Sequence, residues 1–268
     1  MFKERLISGI VMVIILIATV GYGGNVLFAV VGIVSLIGMS ELYKVFKVEN
    51  KALGVTGYLA AIAYYAMLLL EKTEWMIPLT LLFLILVMAV YVFTYPTFTA
   101  EQVMAVFFGF FYVSVMLSYV YQTRMLAEGA VLVWLIFLSS WGCDTCAYCV
   151  GVLFGKHKMA PKLSPKKSIE GGVGGVLGAA LLGALFALAV NQWAGVTVNP
   201  LQYALICGVG GMISQIGDLA ASGIKRNHGI KDYGKLIPGH GGILDRFDSV
   251  IITAPIIYYL SMILGGTL

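Results

Sequence analysis

Charged residues are scarce in this sequence of 268 amino acids, where Asp, Glu, Lys and Arg make up 11% of the chain. An ordinary soluble protein has about 25%. Hydrophobic residues reach 60%, and the mean hydropathy is +0.95. A compact particle of this length cannot bury so much apolar surface away from water. The composition therefore excludes a soluble globular enzyme and predicts a protein of the lipid bilayer.

Cysteine is also sparse, with four in the chain, which excludes a disulfide scaffold. The 32 glycines follow no fixed period, so collagen is excluded, and the high apolar fraction excludes disorder. Cys143, Cys146 and Cys149 are spaced like the start of a bacterial ferredoxin run, but no Cys follows four residues later. We expect ordinary buried thiols at these positions.

Long uncharged runs dominate the chain. A hydrocarbon core about 30 Å thick needs about 20 apolar helical residues, and nine runs of that order are present. The sequence therefore predicts an all-α integral membrane protein, a polytopic bundle of about nine transmembrane helices. The predicted spans are 6–23, 25–41, 54–70, 76–94, 102–121, 129–153, 172–194, 200–221 and 249–266.

The basic residues predict an orientation. Fifteen of the 17 Lys and Arg residues fall in loops on one side of these nine spans, and only Lys72 and Arg124 fall on the other. Short loops rich in Lys and Arg stay in the cytoplasm. The sequence therefore predicts a cytoplasmic N-terminus, marked by Lys3 and Arg5, and a C-terminus outside, in the inner membrane.

Four aspartates require an explanation. Asp144 lies ten residues inside the sixth predicted span, about 15 Å from its end. A central carboxylate costs roughly 2.5–3.5 kcal/mol in a bilayer, so it usually faces a wet cavity, a cation or a metal. Asp218 lies near the end of the eighth span, and Asp245 and Asp248 would share a helix face before the ninth. Carboxylates that converge from separate helices predict a divalent cation such as Mg²⁺.

The other acids noted in the sequence carry no predicted role. They lie in predicted loops or at predicted helix ends, where water solvates a carboxylate at little cost. They are Glu4, Glu41, Glu49, Glu71, Glu74, Glu101 and Glu128.

Two predicted loops, 156–170 and 222–248, hold ten of the 17 basic residues. Such runs can be topology signals or contacts with anionic lipids. The second loop also contains Pro238-Gly239-His240-Gly241-Gly242, whose glycines leave backbone amides open to a ligand. His240 could equally make a structural hydrogen bond. Carboxylates for a metal and cations for phosphate together predict phosphoryl or nucleotidyl transfer.

The segment Ser222–Asp248 closely resembles the signature of the phosphatidate cytidylyltransferases, also called CDP-diacylglycerol synthases. The matching positions are Ser222, Ile224, Lys225, Arg226, Lys231, Asp232, Gly234, Ile237, Pro238, His240, Gly241, Gly242, Ile243, Asp245, Arg246, Phe247 and Asp248. Two further stretches resemble the same family, Asp144–Gly151 and Ser164–Gly175. Together these motifs occupy about the last half of the chain.

The resemblance implies that CTP and phosphatidic acid react to give CDP-diacylglycerol and pyrophosphate in a Mg²⁺-dependent membrane enzyme. It also implies more than one metal ion, contact with membrane lipids, a homodimer and no nucleic-acid partner. We expect residues 1–125 to form an N-terminal helical region of about five spans. Residues 126–268 would form the catalytic region, with its active site facing the cytoplasm.

Roles follow for these matching residues and for Asp218, which is predicted from the converging acids alone. Asp218 and Asp245 would bind the metal, with Asp144 and Asp248 completing the site. The predicted triphosphate ligands are Lys166, Lys167 and Ser168. The predicted ligands of the phosphatidate head group or pyrophosphate are Lys225, Arg226 and Arg246. The remaining predicted substrate-binding residues are Ser222, Lys231, His240, Gly241 and Gly242.

Two other functions fit part of the pattern. A secondary transporter also uses midmembrane acids and glycine-interrupted helices, although the chain has no inverted repeat. A CTP-dependent lipid kinase would need similar groups but would transfer the γ-phosphoryl group. The ten clustered basic residues favour a reaction on phosphates over transport.

Overall fold

The computed structural model describes residues 2–265, with side chains from Ile7 onward. Within this part the chain forms nine helices, and eight of them are long and apolar enough to cross a membrane. The helices are α1 (Phe2–Tyr22), α2 (Gly24–Val45), α3 (Ala52–Leu69), α4 (Met76–Phe93), α5 (Ala100–Arg124), α6 (Gly129–Phe154), α7 (Ile169–Trp193), α8 (Pro200–Asn227) and α9 (Leu244–Leu264).

The predicted all-α membrane fold is confirmed. Helix α1 supplies a shorter apolar stretch, Ile7–Tyr22, at the first predicted span. The side chains of Lys3 and Arg5, and residues 266–268 at the predicted outer end, lie outside the described part of the chain. The orientation of the termini and the division of the chain at residue 125 stay predictions.

The predicted loop 222–248 is too long at both ends. Helix α8 continues to Asn227, so Lys225 and Arg226 lie in its last turn. Helix α9 begins at Leu244, which places Asp245 in its first turn. The loop therefore covers residues 228–243. The predicted eighth span ended at residue 221 and the ninth began at 249. Basic residues favour a helix C-terminus and acidic ones an N-terminus, so both helices continue into polar sequence.

The other basic loop contains a small hairpin that the sequence did not predict. Strand β1 (Lys158–Ala160) pairs antiparallel with β2 (Ser164–Ser168). Helix α7 then begins at Ile169, three residues before the predicted start of its span. Ser168 is its N-cap, and the Ser168 hydroxyl accepts a hydrogen bond from the Gly171 N–H at 3.1 Å.

Two helices each contain a π-helical segment. These segments are Phe110–Val115 in α5 and Leu138–Gly142 in α6. A π turn is wider than an α turn and often lies near a functional site. The segment in α6 ends directly before Cys143 and Asp144, so it sets the direction in which Asp144 projects.

By contacts between residues the chain divides into two compact units. The first unit comprises residues 1–19, 25–118 and 232–245, and the second comprises 20–24, 119–231 and 246–268. In the first unit, buried aromatic side chains pack between α2, α3, α4 and α5. Tyr43 is fully buried and donates a hydrogen bond to the Val106 carbonyl at 2.8 Å. Phe83 and Phe110 pack with ring centroids 4.9 Å apart.

In the second unit, α6, α7 and α8 pack closely through small residues. A Cβ added at Gly175 would lie 2.8 Å from the Ala147 Cβ, and one at Gly178 would lie 2.5 Å from Cys146. Helices can approach so closely in lipid when small residues recur at four-residue spacing. The glycines near the start of α7 therefore serve helix packing, as their spacing predicts.

Candidate active site

A pocket of about 440 Å³ opens in the second unit, between α6, the hairpin, the start of α7 and α8. Small-molecule sites commonly have volumes of about 300–1,000 Å³. Five predicted site residues line the pocket: Asp144, Lys166, Lys167, Ser168 and Asp218. Its remaining walls are glycine backbone, the polar side chains of Ser164 and Gln215, and less polar side chains such as Tyr148, Val152 and Met159. The pocket thus joins charged groups to an apolar wall.

Glu170 holds the hairpin that carries the two lysines of the pocket. Its carboxylate accepts hydrogen bonds from the backbone N–H groups of Lys156, at 3.1 Å, and His157, at 3.2 Å. The His157 Nδ1 lies 2.6 Å from the same carboxylate. Because these contacts join the beginning of the hairpin to the first turn of α7, they fix both ends of the segment that presents Lys166 and Lys167.

Two acids of the second unit, Asp218 and Asp248, are paired with lysines. Lys167 forms an ion pair with Asp218, and Lys225 lies 3.9 Å from Asp248. Asp144, Asp218 and Asp248 come from α6, α8 and α9 and interact electrostatically with one another. Three carboxylates repel one another unless cations compensate them. The two lysines, together with Arg246 near Asp144, supply this compensation.

Arg246 offers an unused donor. Trp141, in the π segment of α6, donates its indole N–H to the Arg246 carbonyl at 3.1 Å. The Arg246 Nε is buried and has no hydrogen-bond partner among the described residues. A buried donor left without a partner is costly, so an incoming anion would gain a strong charge-assisted hydrogen bond there.

The donor chemistry around Asp144 fits a divalent cation. Carboxylate oxygens are the hard ligands that Mg²⁺ prefers, and the three acids come from three helices. Among the described residues, no three His, Cys, Asp or Glu side chains are already arranged around a common ion position. Two of the acids are paired with lysines, which a cation would have to displace.

In the first unit, Asp245 stabilises the end of the glycine loop. Its Oδ2 accepts hydrogen bonds from the backbone N–H groups of Tyr233, at 2.8 Å, and Gly242, at 2.9 Å. Gly241 has a φ of 87°, which glycine adopts readily. The His240 Nδ1 lies 2.8 Å from the Ser8 hydroxyl. His240 therefore makes the structural hydrogen bond that the sequence left as one of two possibilities.

Glu41 is the residue that the sequence reasoning missed. It is buried, with 9% of its surface exposed, so the expectation of a solvated carboxylate is wrong. Its Oε1 accepts a hydrogen bond from the Ile243 N–H at 3.0 Å, and its Oε2 accepts one from the Leu244 N–H at 2.8 Å. No local pattern pairs residue 41 with residue 243, although an acid within an uncharged helical run was itself a signal.

The remaining predicted residues of the second unit, Asp248 and Arg246 included, do not line the pocket. Ser222 and Lys225 are buried on α8. Arg226 is exposed and donates a hydrogen bond from Nη1 to the Ile230 carbonyl at 3.1 Å. Lys231 is exposed in the loop. Their predicted contacts with substrate stay predictions.

The cysteines are free thiols. Cys143 is fully buried and donates a hydrogen bond from Sγ to the Gly211 carbonyl at 3.4 Å. Cys149 is exposed on the same helix. The prediction of a buried thiol is confirmed for Cys143 but is wrong for Cys149, while Cys146 is half-buried.

Comparison with known proteins gives a consistent result. A sequence model described as the cytidylyltransferase family matches residues 3–264. A phosphatidate cytidylyltransferase of Staphylococcus epidermidis is 34% identical over 263 residues, covering 96% of this chain and 98% of the relative. A phosphatidate cytidylyltransferase of Staphylococcus aureus is 30% identical over 268 residues, with the same coverage. The chain belongs to the cytidylyltransferase family.

Proposed function

We propose that this protein transfers CMP from CTP to phosphatidic acid, giving CDP-diacylglycerol and pyrophosphate. The observation that carries the proposal is the pocket in which Lys166, Lys167 and Ser168 face Asp144 and Asp218 beside an apolar wall. Family membership and the names of the relatives support the same reaction. The pocket combines groups for phosphate binding with a surface suited to lipid.

The triphosphate of CTP would bind at the hairpin and the start of α7. Lys166 and Lys167 supply positive charge, and the backbone N–H groups at the N-terminus of α7 point toward an anion held there. Lys167 already pairs with Asp218, so a phosphate oxygen would compete with that carboxylate for the ammonium group. The phosphate offers the same kind of charge-assisted hydrogen bond as the carboxylate that it would replace.

Phosphatidic acid would enter from the side of α6. Tyr148 and Val152 line the pocket and are 73% and 68% exposed, so they can contact acyl chains. The unpaired Arg246 Nε is suited to an anionic phosphate. A phosphate monoester has a second pKa of about 6, so the lipid phosphate is a dianion at neutral pH. Its oxygen can attack the α-phosphorus without a protein base, and pyrophosphate leaves.

Mg²⁺ would be held by carboxylates of Asp144, Asp218 and Asp248, and it would neutralise charge on the phosphates. The residues around them bring the two anionic substrates together and exclude water from the apolar side. A second ion and the predicted role of Asp245 as a ligand remain parts of the proposal. We also propose a cytoplasmic active site, and the expectation of a homodimer rests on the family resemblance.

The test uses purified full-length protein in detergent with phosphatidic acid, Mg²⁺ and labelled CTP. We expect label at the α-phosphorus to enter the lipid, whereas label at the γ-phosphorus should appear in pyrophosphate. Transfer of the γ label to lipid would identify a lipid kinase instead. If neither label leaves the nucleotide although CTP binds, a transferase function is wrong.

A further inference from the structure

Glu41 contacts the backbone that carries the glycine loop into α9. Its two oxygens accept hydrogen bonds from the N–H groups of Ile243 and Leu244. These N–H groups lie at the start of α9, where the first turn of a helix has no intrahelical acceptor. A carboxylate that accepts from them also interacts favourably with the helix dipole. Glu41 therefore caps α9 from a helix about 200 positions earlier in the sequence.

The loop is shaped to admit this carboxylate. A Cβ at either Gly234 or Gly242 would collide with the Glu41 side chain, and the nearest neighbours of an added Cβ at Gly242 are all Glu41 atoms. Gly234 and Gly242 have no positive φ. An added Cβ at either position would push the Glu41 carboxylate away from the Ile243 and Leu244 N–H groups, so glycine at these two signature positions preserves the contact.

Asp245 follows directly after the capped residues. Its Oδ2 ties Tyr233 to Gly242 within the same loop, while Glu41 holds the two residues between Gly242 and Asp245. The two acids also interact electrostatically. The four backbone N–H groups that donate to the two carboxylates offset this repulsion.

We propose that Glu41 is a positioning residue, which fixes the 233–245 loop and the direction of Asp245 without touching substrate. This inference rests on the proposed function, because Asp245 matters for turnover only if the protein is the transferase. No role was predicted for Glu41 from the sequence, and its burial against two signature glycines is the observation that indicates one.

The experiment replaces Glu41 by Gln. A Gln side chain has one acceptor oxygen, and its NH₂ group would face the second backbone N–H. Glu101→Gln is the matched control, because Glu101 is an exposed acid of the same unit. Three quantities are measured on full-length protein in detergent: kcat for CDP-diacylglycerol formation, hydrogen exchange of the backbone amides, and the melting temperature.

For Glu41→Gln we expect kcat to fall by about tenfold or more, since small misplacements of a catalytic group are costly. Exchange should accelerate at residues 233–245 alone, with the melting temperature near that of the wild type. Glu101→Gln should match the wild type in all three. A Glu41→Gln protein with wild-type kcat overturns the proposal, and so does a reduced kcat with unchanged exchange in the loop.

Glu41→Asp decides the case in which Glu41→Gln does not fold. Asp keeps the charge but is one methylene shorter, so it cannot reach both amides equally well. We expect faster exchange in the loop and a lower kcat than in the wild type. Wild-type values for both would overturn the proposal. If the wild type itself makes no CDP-diacylglycerol, the proposed function fails, while loop exchange still reports whether Glu41 is the anchor.

Discussion

Individual side chains in the pocket and near it are held in pairs that substrate would have to rearrange. Lys167 with Asp218 and Lys225 with Asp248 leave no acid of these pairs uncompensated. The same lysines are the cations expected to meet phosphate. The predicted roles of Lys167 and Asp218 therefore depend on each other, and each can be tested by removing its partner.

Asp218→Asn should lower kcat by about 100-fold or more, because loss of a single group that stabilises developing charge commonly costs about 10²–10³. The neutral amide also binds a divalent cation more weakly. Labelled CTP assays in detergent measure the effect. Glu128→Gln, at an exposed acid of the same unit, is the control and should retain wild-type turnover. Wild-type activity in Asp218→Asn would show that Asp218 has no role in the reaction.

The three cysteines of α6 should be dispensable together. Changing Cys143, Cys146 and Cys149 to Ser leaves a hydroxyl that can donate to the Gly211 carbonyl in place of the Cys143 thiol. We expect kcat within about twofold of the wild type, since none of these thiols lines the pocket among its described residues. A large loss in the same assay would revive a metal–thiolate role.

At the scale of elements, the active-site helices depend on close approach. Gly171, Gly172 and Gly175 are buried on α7 and bring its first turns against α6 and α8. This packing leaves Ser168 as the N-cap beside the pocket. The spacing of small residues in the sequence predicts the approach, because it reflects local helix geometry.

Gly175→Ala should destabilise the protein. The added Cβ would lie 2.9 Å from the Cys143 carbonyl oxygen and 2.8 Å from the Ala147 Cβ. Overpacking of this kind costs about 1–3 kcal/mol. Gly208→Ala is the control, because its nearest neighbour would be the Ala180 Cβ at an ordinary 3.4 Å. Thermal unfolding in detergent should show a lower melting temperature for Gly175→Ala only, and equal values would contradict the packing argument.

The sequence predicted the helices well and the loops poorly. Apolar runs identify transmembrane segments because the length of a run is set by the bilayer. The hairpin at Lys158–Ser168 and the contact of Glu41 with Leu244 escaped prediction for the same reason. The hairpin and the Glu41 contact each form between residues that are polar, and polarity alone predicted that these residues lie in solvated loops. Asp144, in contrast, was evident because a midmembrane acid is expensive wherever the chain folds.

For the whole molecule, the prediction that most needs a test is the orientation in the membrane. The proposal requires the hairpin to face the cytoplasm, where CTP is found, and the loop that contains Lys72 to face outward. Both Lys72 and Lys162 are exposed in the structure. Each can therefore be replaced by a single reactive cysteine.

In a background with the three α6 cysteines changed to Ser, Lys72→Cys should react with a membrane-impermeant thiol reagent in intact cells. Lys162→Cys should react only after the membrane is permeabilised. The background without an added cysteine is the control, because it measures any reaction of the remaining buried Cys207. The reverse pattern would place the pocket outside and contradict the proposed access of CTP.

The π-helical segment Leu138–Gly142 makes the length of α6 part of its function. Removing one residue there would restore an ordinary α-helix and eliminate the wider turn that carries Trp141, whose indole N–H donates to the Arg246 carbonyl. A one-residue deletion in this segment should therefore be more harmful than most substitutions within it. Among functional relatives, the spacing from Gly129 to Asp144 should remain constant, while gaps accumulate in the surface connection between α7 and α8.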